Sequence, residues 1–572
     1  MNHDRAGDAG GRLAALADEA WTVALEASPL NATQLGDRRF LAGLSANDED
    51  APERLAGRYR GLLDDARALP ADALDDADRV TRAALVDDLE HRLGLVESGL
   101  ERWAVDPLDG PQVLFQNVAS YQPLDTPEDG TAALERWRAM GPWIDRHVDG
   151  LRSAAAEGLI APAALVDSVV DELDDLLALD DAEWPLAAPA QADHAGWPPD
   201  ARASFADGVL AAIREGIRPA FARQRSVLVD ELRPVARPDD RAGLAHVPGG
   251  DAAYAHLVRA HTTLDLAPEA IHAIGLEEVE RIDREFAGLG SQVLGTSGVS
   301  ATLARLRDDP ALRFTTRDEV RATAEDALRR ANDAIGGWFG RLPHAPCEVV
   351  VMGDHEAKHS TIAYYRQPAA DGSRPGRYYI NTSEPTTRPR YEAEVLAFHE
   401  AVPGHHLQIA IAQELPNLPA FRRFSGPTAY VEGWGLYTER LCDEMGLYSG
   451  PLDRFGVLSF DAWRASRLVV DTGLHALGWS RARAIEFMLA HTALAENNIV
   501  NEVDRYLAMP GQALAYKLGQ LELRRLRRES EAALGATFDI RSFHDVVLSE
   551  GAVGLATLGD VVAAWMAEPR SA

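Results

Sequence analysis

The sequence is short of cysteine, of long apolar runs and of positive charge, and each shortage excludes something. Cys347 and Cys442 are its only cysteines, so neither a disulfide framework nor a cysteine-rich zinc site can be built. No stretch approaches the roughly eighteen continuous apolar residues of a spanning helix. The opening "MNHDRAGDAGGRLAALADEAW" has no apolar run of the signal-peptide kind and reads as the start of a helix. A formal net charge of −32 disfavours nucleic acid and anionic membranes as partners, since both are held by clustered Lys and Arg. The acidic residues fall on helix faces such as "DSVVDELDDLLALDDAEW", where they favour solubility. The expected compartment is the cytoplasm.

What is present suits a folded, enzyme-sized body. Hydrophobic residues make up 46% and charged residues 26% of 572, ordinary for a globular protein and too long for one ordinary core. Apolar residues three and four apart, as in "RLAALADEAWTVALEA" and "SVVDELDDLLAL", predict amphipathic helices up to about Arg237. The Pro- and Gly-rich "RPDDRAGLAHVPGG" marks a boundary between an N-terminal helical lobe, 1–245, and a second lobe, 246–572. Thr316 with Glu319 predicts a capping box. The texture then changes: "CEVVVM", "TIAYY" and "GRYYINTS" are β-branched and aromatic runs separated by the turn-rich "QPAADGSRPG", which predicts one small sheet at 347–383. A helix follows, with Thr387 as N-cap and Pro389 in its first turn.

That helix carries "FHEAVPGHHLQ", Phe398 to Gln408. Catalytic zinc takes about three nitrogen or oxygen ligands at roughly 2.0 to 2.2 Å and keeps a fourth position open. On a straight helix two His four apart meet that need, but four residues after His399 stands Pro403. His406, seven residues on, would lie about 10 Å along the axis, too far to share an ion. Pro403 cannot donate to the carbonyl of His399 and crowds that turn, so with Gly404 a bulge is expected that returns His405 to the ligand position. A third ligand is expected from "AYVEGWGLYTERL": Glu432, whose neighbours Gly433 and Gly435 permit close helix approach while Trp434 and Tyr437 wall the site. Glu439 is then a supporting carboxylate or half of an ion pair with Arg440 or Arg422.

Two further segments offer donors for a developing oxyanion. Arg467, Asp471 and His475 share one helix face, so Asp471 can pair with Arg467 and orient His475; Gln512 and Tyr516 are likewise four apart. His475 and Tyr516 are the candidates, and His544 reads as structural. Arg374, Arg377 and Asn381, before the site helix, are candidates to hold a peptide backbone or its terminal carboxylate.

The blocks "FHEAVPGHHLQ", "AYVEGWGLYTERL", "RLVVDTGLHALGW", "PGQALAYKLG" and "SFHDVVLSEGAVGLATL" together resemble the bacterial family catalogued as domain of unknown function 885, which looks like a divergent branch of the gluzincin metallopeptidases. The resemblance covers most of the chain, from "LNATQLGDRR" onward. It implies a mainly α, two-lobed, metallopeptidase-like fold with a small β-sheet next to the active-site helix, the metal-site helices falling within 388–442. It also implies His399, His405 and Glu432 as ligands of Zn2+ and Glu400 as general base. The two-residue insertion leaves His406 as the alternative to His405.

The expected activity is that of a zinc-dependent metallohydrolase cleaving amide bonds, a peptidase of short peptides working between helical lobes. Two other readings stand beside it: a metal-dependent hydrolase of a non-peptide amide, and a non-catalytic metallopeptidase-like binding protein.

Overall fold

The periodicity of the opening segment becomes one long helix, Asn2–Ala27, which buries Leu13, Ala17, Ala20 and Ala24 along a single face. This spacing of four, three and four is the stripe that a 3.6-residue turn requires. The structure is a computed structural model and describes residues 2–353, 357, 361–369, 372 and 374–569, with side chains from Ala9 onward. Ala370, Asp371 and Ser373 of the expected turn lie outside the described residues. The fold is mainly helical with a small three-stranded sheet.

Two principal cores divide the chain differently from the expected lobes. One has its buried residues within Val105–Leu232, with Leu30, Leu44 and Ala236 packed against them, and is built on Trp137, Met140, Ile144 and Val148, one face of the helix Pro127–Ala156. The other joins Leu13, Leu63, Leu85 and Leu89 of the first helices to Phe398, Leu407, Trp434, Phe543 and Val547. Residues 1–100 are thus shared between the two cores: the long helices at 2–27, 51–68 and 76–97 join the core that carries the candidate site, while Leu30 and Leu44 pack against the other. Each fully buried Leu or Phe adds about 1.5–3 kcal/mol. Periodicity indicates which face of a helix is buried, but leaves open what it is buried against.

The sheet has the order β1 (Cys347–Val351), β3 (Gly376–Ile380), β2 (Ala363–Arg366), with β1 parallel and β2 antiparallel to β3. Gly376, Tyr378 and Ile380 of β3 face inward. Between the sheet and the site helix, Thr387 does not act as the cap. Its hydroxyl donates backwards to the carbonyl of Glu384, two short 3-10 turns follow, and the α-helix begins only at Ala393. Thr316 does cap its helix, accepting from the N–H of Glu319. The Glu319 carboxylate returns the bond to Thr315, one residue earlier than a capping box requires.

Candidate metal centre

The helix Ala393–Glu400 ends at the residue after His399. Ala401 still donates to the carbonyl of Ala397 at 2.9 Å, but its own backbone leaves the helical region (φ −105°, ψ −107°). The Val402–Pro403 peptide is cis, and a new helix, His405–Gln413, begins with His406 N–H donating to the carbonyl of Ala401. The break is thus complete, where the spacing suggested a bulge within one helix: Pro403 has no N–H with which to continue the ladder. Gly404 is needed because a Cβ there would fall 1.9 Å from the carbonyl oxygen of His399 and 2.4 Å from that of Phe398. Trp434 fixes the turn by donating its indole N–H to the carbonyl of Pro403 at 3.0 Å.

The result places His405 beside His399. Their rings lie 4.6 Å apart, nearly perpendicular. Glu432 arrives on the helix Thr428–Glu444, its Oε2 at 3.6 Å from His399 Nε2 and 3.5 Å from His405 Nε2. One ligand atom from each of the three lies within 4.8 Å of the others, and the 3.5 and 3.6 Å from Glu432 to the two histidines are separations that one ion at about 2.0–2.2 Å from each donor can span. Gly435 makes room, since a Cβ there would fall 2.6 Å from the His399 ring. Gly433 serves a different approach, its helix crossing the backbone of Gly519.

Behind the ligands, Glu439 accepts from His399 Nδ1 at 2.8 Å and is almost wholly buried. This fixes Nε2 as the atom presented to the other ligands, the usual role of a carboxylate behind a metal-bound His. Burial opposes charge on His399, yet the carboxylates of Glu432 and Glu439 outweigh it and raise the imidazole to about 10. Glu432 is held well below the usual carboxylate range, its desolvation overcome by His405 and His399. Arg440 and Arg422 do not pair with Glu439; they are engaged by Glu285 with Asp461 and by Glu550.

His406 is turned to the sheet. Its Nδ1 meets the Tyr365 hydroxyl at 3.0 Å and its Nε2 the Ala345 carbonyl at 2.9 Å, while burial lowers it to about 4. His405 is therefore the residue that joins the triad. Glu400 is half-buried, close enough to Tyr378 and Cys347 for its charge to raise both. No hydrogen bond engages its carboxylate among the described residues.

Several expected roles are corrected by the geometry. Both nitrogens of His475 are committed to backbone, Nδ1 accepting from Leu244 N–H at 3.1 Å and Nε2 meeting the Tyr506 carbonyl at 3.0 Å, so it has no donor left for an oxyanion. Asp471 accepts from the Tyr254 hydroxyl and Gly511 N–H instead of pairing with Arg467. Asn381 is buried and ties the sheet's turn together through the Ala357 carbonyl and Ser383, which removes it from substrate contact. Trp434 and Tyr437 are core residues rather than walls of the site; Tyr437 donates to His544, confirming the latter as structural. Arg377 lies along the strand near Glu348. Arg374, with a buried Nη1 that has no partner among the described residues, stands near Tyr365. The Tyr516 hydroxyl accepts from Arg505 at 3.3 Å.

Sequence reasoning missed Arg464. It lies three residues before Arg467 on a helix, Arg454–His475, that is otherwise almost wholly buried. A charged pair at that spacing inside an apolar stripe was the available signal.

This is a mainly helical protein whose two histidines and one glutamate converge at a break between consecutive helices. The chain belongs to the bacterial family of unknown function DUF885, whose model matches residues 29–562. No curated protein is significantly similar to it. Its fold resembles the crystal structure of a Colwellia psychrerythraea protein provisionally described as a lipoprotein: the TM-score is 0.89 at 26% identity, covering 98% of this chain and 99% of that one. A Shewanella oneidensis protein of unknown function, also provisionally described as a lipoprotein, superposes with a TM-score of 0.72 at 18% identity, covering 96% and 99%. No helix among the described residues is long and apolar enough to cross a membrane.

Proposed function

We propose that this protein is a metal-dependent hydrolase of amide bonds that acts on short peptides, with zinc as its ion. The observation that supports the reading is the convergence of one donor atom each from His399, His405 and Glu432. Two His and one carboxylate are a donor set of catalytic zinc, and they leave a coordination position open. When bound, zinc supplies the charge that polarises a substrate carbonyl and acidifies a water. Glu400 follows His399 directly and carries a carboxylate with no hydrogen-bond partner among the described residues; it takes the proton from the attacking water and delivers it to the departing amine. Tyr516 is our candidate donor to the developing oxyanion, and a donor at that position is worth about a hundredfold or more in rate. Arg374 is available to a substrate's polar groups. The order His-Glu, His, distal Glu resembles that of gluzincins and favours the same reading. A protein that only bound a ligand would have no use for Glu400.

Elemental analysis of the purified protein beside its His399→Ala variant is the primary test. About one zinc per chain, lost in the variant, is expected; no metal in either after zinc is supplied would overturn the proposal. Glu400→Gln should keep the metal and abolish cleavage of a peptide library, and full activity in that variant would remove Glu400 from its role.

A further inference from the structure

Beside the metal centre lies a group of cations with more donors than acceptors. Arg464 is 5% exposed, and its guanidinium stacks on the rings of Phe460 and Trp463, 4.3 Å from each. Its nearest carboxylate is Glu439, 4.0 Å from Nη2 and already accepting from His399. Nε and Nη1 of Arg464 are buried with no hydrogen-bond partner among the described residues, and so is Nη1 of Arg467. Arg467 stacks on the Tyr516 ring at 4.4 Å and gives its other donors to Glu502 and the Tyr506 hydroxyl. Arg505 donates to Gln512 and to the Tyr516 hydroxyl. Arg467 and Arg505 thus flank the Tyr516 ring, paired with Glu502, and Arg464 lies close enough for the charge of Tyr516 to act on it.

Buried donors are almost always satisfied in folded proteins, and leaving one bare is destabilising, the more so when it is charged. Three bare donors on two adjacent arginines are therefore a cost that an arriving acceptor relieves. The charge of Glu432 reaches Arg464 as well, so the unsatisfied guanidinium stands on the metal-ligand side of the cluster. On the other side, Arg505 is 19% exposed and feels Asp109, which lies just after Val105 at the start of the Val105–Leu232 core. The cluster therefore runs from the metal ligands to a solvent-exposed rim.

We propose that Arg464, with Arg467 and Arg505, forms an anion subsite beside the metal centre that takes a carboxylate of the substrate. A peptide's own C-terminal carboxylate is the group of the right charge and size, which makes the substrates short peptides with a free C-terminus. This deepens the hydrolase reading and rests on it for the identity of the substrate, but not for the binding itself.

The test uses the zinc-loaded Glu400→Gln protein, so that binding is read without turnover. Isothermal titration calorimetry compares N-acetyl-Ala-Ala, its C-terminal amide, and N-acetyl-Ala-Asp amide, which carries its carboxylate on a side chain. The free acid should bind roughly tenfold more tightly than the amide, the factor expected of one charge-assisted pair. Adding Arg464→Gln should abolish that preference with zinc content and circular dichroism unchanged. Arg505→Gln, at the exposed rim, is the second variant and should reduce the preference even if Arg464→Gln fails to fold. Equal binding of acid and amide, or a tenfold preference that survives both substitutions, would overturn the subsite. If the aspartyl amide binds as tightly as the free acid, the terminal-carboxylate assignment falls. Acid-selective binding with no cleavage of either peptide by the unsubstituted protein would sink the hydrolase reading and keep the subsite; cleavage with equal binding would do the reverse.

Discussion

His399 and His475 each stand in the last turn of a helix, 3% and 1% exposed, and their surroundings have opposite effects. His399 faces the carboxylates of Glu439 and Glu432, which raise it to about 10 against the pull of burial. His475 faces two backbone groups, and burial lowers it to about 3. Burial alone therefore does not decide what a histidine does. A carboxylate on one nitrogen leaves the other free to accept a cation, whereas backbone groups on both nitrogens turn the ring into a structural clasp.

The comparison can be broken most severely at the helix break. Gly404→Ala places a methyl against the carbonyls of Phe398 and His399, so His405 should be displaced. We expect a loss of about 3 kcal/mol or more in urea unfolding together with loss of zinc; a variant that keeps both would show that the turn tolerates a side chain. Next comes Glu439→Gln, which keeps an acceptor near His399 and removes its charge. Zinc affinity should fall about 10- to 100-fold, measured by competition with a chelator, with secondary structure intact.

His475→Gln sharpens the contrast from the other side. The substitution should cost about 1–3 kcal/mol, because the Leu244 N–H and Tyr506 carbonyl lose their partner. Zinc content should not change; a drop in zinc would place His475 in the site after all. The smallest effect is the pH dependence. With a folded value near 3 and an ordinary value of 6.5, the unfolded chain binds one more proton between those limits. This contribution to stability is complete above about pH 6.5 and is lost as the pH falls, by about 1.4 kcal/mol per unit. Urea titrations at pH 7 and 5.5 should show a shallower fall in His475→Gln than in the unsubstituted protein.

Much of this was readable beforehand because it is local. The Thr316 cap, the helical stripe of the first segment, the three strands and the disruption at Pro403-Gly404 each follow from residues within a few positions of one another. His399, His405 and Glu432 could be named because Pro403 forbids a straight helix and only a return of the chain brings a second His to the first. Arg467, Asp471 and His475 were misread for a related reason. Their i, i+4 spacing is real, but Glu502, Tyr254, Leu244 and Tyr506, distant in sequence, claim those side chains. Thr387 failed because its hydroxyl had a nearer backbone acceptor in Glu384.

By itself, then, the sequence determined the helical character, the one small sheet, the absence of a cysteine framework and the point where the site helix must break, since propensity and backbone sterics act within a turn or two. Only the tertiary structure decided that the helices at 2–27, 51–68 and 76–97 share a core with the candidate-site helices, that Glu439 supports His399, and that Arg464 is left with donors unmet among the described residues. Those outcomes depend on which partners the fold brings within 3 Å, and no local spacing encodes that choice.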